Sequence, residues 1–169
     1  MNCHEAEPRI LILGIGNTLR GDDGVGPVAV ERLRGVLNDE GVSVSSCQQL
    51  LPELAEAMSR ARLAVFIDAC CDLRPGEVAC ERVDVSAATG ETTTHHFDPA
   101  ALVALAMRLY GRCAEAYVVA VGAECFGYSE SLSPRVAAAV DTVVERVRGL
   151  LRGEATAGRG APCQEPTDA

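Results

Sequence analysis

The chain has 169 residues and a formal net charge of −9, and all 15 of its basic side chains are arginine. Without lysine there is no amine for a Walker-type phosphate loop, a Schiff base or a Ser–Lys pair. No tryptophan, 4% aromatics and an acidic balance leave neither the stacking groups nor the positive field of a nucleic-acid binder. Taken in chain order, residues 9–13 form a short apolar run that predicts a buried strand. A glycine-rich loop follows, and Pro27 then opens a helix with Ala29, Val30, Leu33, Val36 and Leu37 on one face. Residues 42–47 read as a second strand and 52–58 as a short helix. Residues 63–69 are apolar throughout and predict a central strand covered on both faces. Residues 77–85 alternate imperfectly, as an edge strand does.

The polar stretch 86–96 interrupts the pattern. Asp98-Pro99 then starts a helix with the stripe Leu102, Leu105, Ala106 and Leu109, and residues 116–121 form another buried strand. Ser133-Pro134 starts the last helix, with Val136, Val140, Val143, Val144, Val147, Leu150 and Leu151 at helical spacing. Each of the four helices is expected to begin with a proline at or near its first position, where the missing N–H costs nothing. The order β-α-β-α-β-β-α-β-α predicts a three-layer α/β/α sandwich around a mostly parallel sheet. One domain over residues 1–152 is expected, with a disordered tail over 153–169. The apolar runs are too short to span a membrane, and the start of the chain lacks a basic-then-apolar signal, so a cytoplasmic protein is expected.

In such sheets functional groups gather at the carboxyl ends of the strands. The loop after the first strand, GIGNTLRGDDGVG, invites comparison with a dinucleotide fingerprint and fails it. The third glycine's place is Leu19, and Asp22 and Asp23 stand where a phosphate needs bare amides, so no nucleotide is expected. Paired acids ahead of a helix also suit its dipole, and Asp22 reads as such a bracing residue. Asp23 suits a cation or a proton-transfer role instead. Asp68 follows directly on the buried third strand, where a carboxylate is desolvated unless a partner or metal compensates it; hydrogen bonding to loop amides is the plainer alternative.

Only three histidines exist: His4 near the start, and the tandem His95-His96 in a polar loop. Two carboxylates and an imidazole with open positions suit a divalent metal such as Zn²⁺ or Ni²⁺, or general acid–base work on a peptide bond. No GxSxG elbow is present for a serine hydrolase. The eight cysteines (Cys3, Cys47, Cys70, Cys71, Cys80, Cys113, Cys125 and Cys163) show no CxxC spacing and read mainly as small buried hydrophobes.

Together the opening segment ILILGIGNTLRGDDGVGPVAVERL, the strand-end Asp in FIDAC, the TTHHFDP loop and the LSP before the last helix resemble the [NiFe]-hydrogenase maturation endopeptidases. The resemblance runs from Arg9 to about Arg152. It implies a phosphorylase/hydrolase-like α/β/α fold on a five-stranded sheet whose fourth strand is antiparallel. It also implies an endopeptidase that removes the C-terminal extension of a hydrogenase large-subunit precursor after nickel insertion. The residues that match the family's metal-contacting and catalytic trio are Asp23, Asp68 and His95, with His96 as the alternative ligand. The nickel is then supplied by the substrate, and the protein is expected to act as a monomer. A non-proteolytic nickel-sensing accessory protein is the competing reading. The family's Pro-Glu after the last strand's glycine is replaced here by Gly122-Ala123-Glu124-Cys125-Phe126. Any basic contact to the substrate's extension must come from arginine, with Arg20 the first candidate and a solvated loop residue the plainer reading.

Overall fold

A computed structural model describes residues 9–37, 39–84 and 98–153. Five strands, β1 (Ile10–Ile15), β2 (Val42–Cys47), β3 (Leu63–Cys70), β4 (Val78–Arg82) and β5 (Glu115–Gly122), form one sheet in the order β2-β1-β3-β5-β4. All neighbours run parallel except β4, which pairs antiparallel with β5 at the edge. Helices α1 (Val25–Arg34) and α4 (Pro134–Leu151) cover one face, and α2 (Leu54–Arg60) and α3 (Pro99–Tyr110) cover the other. The predicted three-layer α/β/α sandwich and its odd fourth strand are both present.

Burial explains the layers. In β3, Leu63, Val65 and Ile67 pack towards α1 and α4, while Ala64 and Phe66 pack towards α2 and α3. Period-2 alternation sends the same apolar run into two cores, so no polar residue is tolerated before Asp68. In α4, Val136, Val140, Val143, Val144, Val147 and Leu150 are all buried, as their spacing predicts, and Leu151 is half-buried.

Three local expectations are corrected. Only α3 and α4 begin on a proline; Pro27 is the third residue of α1, and Pro52 stands ahead of α2. A 3-10 turn, Gly21–Gly24, runs directly into α1, so helical backbone begins before Pro27. Pro27 does no harm there, because first-turn N–H groups lack intrahelical acceptors. In α1, Val36 lies beyond the helix and is exposed. In α3 the buried face is Leu102, Val103 and Ala106, while Leu109 is 61% exposed. With 7 residues, α2 is too short to cover all of the 12-residue α3. Finally, the cysteines are not uniformly buried: Cys80 is, Cys47, Cys70 and Cys113 are half-buried, and Cys71 and Cys125 are exposed. Gly153 closes the described chain with a left-handed turn, so the expected tail lies outside the described residues from 154 onward.

Strand order fixes where a site can form. From β1 the chain crosses over α1 to one side of β1, and from β2 it crosses over α2 to β3 on the other side. The winding therefore reverses between β1 and β3, which opens a crevice at their carboxyl ends.

Candidate active site

Asp23 and Asp68 are delivered to that crevice by the two strands that flank it. Glycine makes the approach possible. Gly16 has φ +132, and a Cβ there would lie 1.8 Å from the Asp23 carbonyl oxygen. A Cβ on Gly26 would lie 2.3 Å from the Ile15 oxygen and 2.6 Å from that of Ile67. Both positions need glycine: the first for its backbone angle, both for the closeness of the 3-10 turn and α1 to the strand ends.

Asp23 is half-buried, and its Oδ2 accepts the Asn17 N–H at 2.8 Å. Asp68, also half-buried, accepts the Ala69 N–H at 2.8 Å on Oδ1. Burial pushes the Asp68 carboxyl up from its ordinary 3.8; the Ala69 N–H opposes this, the Asp23 charge adds to it, and the result is about 6. Among the described residues no arginine forms an ion pair with either carboxylate. Two acids that repel each other in a partly desolvated crevice form a donor set that favours a cation or a shared proton. The donor set thus fits a divalent metal on its oxygens, although among the described residues no group of three His, Cys, Asp or Glu side chains is placed to hold one. His95 and His96 lie outside the described residues.

Asp22 does something else. It is fully buried, and its carboxylate accepts three backbone N–H groups: Glu124 at 2.8 Å, Cys125 at 2.9 Å and Ser133 at 2.6 Å. Burial alone would raise its pKa, but the N–H groups of Ser133, Glu124 and Cys125 outweigh that and hold it below the ordinary value. The bracing role read from the sequence is the observed one; its partners, about a hundred residues away, were not legible. Arg20 is exposed, as its plainer reading expected.

Cys47, at the end of β2, is a neighbour the sequence did not bring to the site. Burial and the Asp68 charge both raise its pKa, so the thiol stays protonated and is a poor nucleophile. The signal was positional: β2 pairs with β1 through Ile15↔Cys47, so strand order alone puts this thiol on the same ledge. A cleft of about 250 Å³, lined by Gly16, Asn17, Thr18, Pro27, Ser46, Cys47 and Gln48, opens beside the Asp23 loop. Its lining is uncharged and mixes polar with apolar groups.

Solved structures share this architecture. A hydrogenase maturating endopeptidase, HybD, from E. coli matches at 26% identity with TM-score 0.71, covering 86% of this chain and 93% of its own. The [NiFe] hydrogenase maturation protease HybD from Thermococcus kodakarensis matches at 28% identity with TM-score 0.62, over 84% of this chain and 98% of its own. A hydrogenase 2 maturation peptidase from Thaumarchaeota archaeon SCGC_AB-539-E09 has the same fold at 23% identity and TM-score 0.66, covering 85% of this chain and 98% of its own. Compared by sequence, neither a protein-family model nor a curated protein matches the chain.

Proposed function

With the chain placed among the [NiFe]-hydrogenase maturation endopeptidases, and so among the hydrolases, we propose that it trims the C-terminal extension from a nickel-loaded large-subunit precursor. The metal belongs to the substrate and is recognised through Asp23, Asp68 and His95, with His96 the alternative. The observation that carries this reading is the meeting of Asp23 and Asp68 at the sheet's reversal point, where among the described residues no arginine forms an ion pair with either. A positive ion brought in by the substrate relieves their repulsion, so binding is favoured only once the metal is in place.

The chain's own groups then divide the work. Asn17 N–H holds Asp23 in position. Asp68, with a pKa of about 6, is mostly ionised at neutral pH yet basic enough to take a proton from an attacking water. The substrate's nickel offers a second route, polarising the scissile carbonyl. A protonated Cys47 takes no part as nucleophile. The protein is proposed to work as a cytoplasmic monomer; among the described residues no helix is long and apolar enough to cross a membrane.

The test is to incubate the protein with nickel-loaded and nickel-free precursor and weigh the products. Loss of a C-terminal fragment from the loaded form alone is expected. A stable complex whose precursor keeps its full mass would overturn the peptidase reading in favour of a non-cutting accessory protein.

A further inference from the structure

The 3-10 turn that carries Asp23 is joined to the loop between β5 and α4 so closely that the two form one rigid ledge. Gly21 N–H donates to Ser129 O at 2.8 Å, Ser129 N–H to Leu19 O at 3.2 Å, and Asp22 N–H to Cys125 O at 3.0 Å. The Asp22 carboxylate adds its three bonds to the same loop, and Gly127 N–H donates to the Cys125 sulfur at 3.3 Å. These joined segments hold large side chains out to solvent: Tyr128 is 98% exposed, Leu19 54% and Phe126 39%. The whole chain has three tyrosines, three phenylalanines and no tryptophan, so two of its few aromatics stand on this one loop. Arg20, exposed beside them, is the only basic residue of segments 16–24 and 123–133.

Resting on the peptidase reading above, we infer that Leu19, Arg20, Phe126 and Tyr128 form the docking surface for the folded body of the protein substrate. Continuity with the site argues for that occupant. Asp23 N–H donates to the Arg20 carbonyl at 3.2 Å, so a chain end that reaches Asp23 brings the rest of its protein against this ledge. Composition agrees, since aromatic residues and arginine concentrate at the centres of protein interfaces. Size argues against a second copy of the chain. The three apolar side chains offer on the order of 400 Å², whereas a stable interface needs about 800 Å² from each partner. A patch of this area suits a transient encounter, which is what an enzyme that must release its product requires.

The experiment measures affinity and cleavage on the same samples of cognate nickel-loaded precursor. Tyr128→Ser is expected to weaken binding and raise KM about tenfold, and the double variant with Leu19→Ser about a hundredfold, with kcat within roughly twofold. Leu109→Ser, which removes from α3 an apolar group about as exposed as Leu19, is the control and is expected to behave as wild type. If the double variant binds and cuts as wild type does, the docking surface is overturned while the peptidase stands. If wild type binds the precursor but leaves it uncut, the peptidase reading falls, and the variants' affinities still decide the surface. Sedimentation that shows a wild-type dimer dispersed by Tyr128→Ser would reassign the patch to a second copy and overturn the proposal.

Discussion

Asp22 and Asp23 are consecutive residues of one 3-10 turn, yet they belong to two regions built on opposite terms. On the Asp22 side, three backbone N–H groups from the β5–α4 loop surround a carboxylate with no solvent exposure, and it stays charged. On the Asp23 side, the facing group is another acid, Asp68, whose carboxyl the Asp23 charge pushes up rather than satisfies. The first arrangement favours stability, and the second is where the proposed function places the chemistry. Buried charge is stabilising where dipoles have been organised around it, and remains available for chemistry where they have not.

The sharpest way to break this comparison is to remove each acid in turn. Asp23→Ala is expected to lower the processing rate by at least about a thousandfold while costing only ~1 kcal/mol for its one hydrogen bond. A variant that processes precursor at near wild-type rate would remove Asp23 from the chemistry. Asp22→Ala should do the reverse, leaving three N–H groups without their acceptor and costing about 3 kcal/mol in denaturant unfolding. Because the Asp22 pKa is lowered on folding, its stabilisation is present above about pH 4 and is lost as pH falls below that. A midpoint for Asp22→Ala that matches wild type at pH 7 would contradict the bracing role.

Asp68 carries the opposite sign. Its folded pKa is about 6 against an ordinary 3.8, so ionisation costs stability as pH rises through that window. Asp68→Asn should therefore be more stable than wild type by on the order of 2 kcal/mol at pH 7.5 and no more stable at pH 4, while losing processing activity. Equal stability of the two proteins at both pH values would remove the strain assigned to this carboxylate. The smallest effect is expected from Asp98→Ala. Asp98 caps α3 through the Ala101 N–H at 2.6 Å, and its loss should cost about 1 kcal/mol with no change in pH profile.

Much of the frame was readable because its signals are local. The unbroken apolar run of β3 needs two covered faces, and the valine repeat of α4 needs one. Asp98-Pro99 and Ser133-Pro134 marked the two helix starts at which they are found. Local signals failed where a neighbour decided. Leu109 fits the stripe of α3 by spacing, but α2 is too short to cover that helix. Pro27 suggested where α1 begins, but the preceding turn had already set the helical path.

By itself the sequence determined the layers, an edge strand over 77–85 and the pair of acids worth watching, while the antiparallel sense of that strand was what the family resemblance implied. It did so because periodicity and glycine placement act over a few residues. Absent lysine, together with ill-placed serines, already pointed the chemistry towards carboxylates and histidine. Only the tertiary structure supplied the partners of each acid. The field at a carboxylate is set by groups brought from far along the chain: Glu124, Cys125 and Ser133 around Asp22, and Asp68 beside Asp23. Those distances close only when strand order places β3 next to β1 and β5 next to β3, and no local pattern records that order.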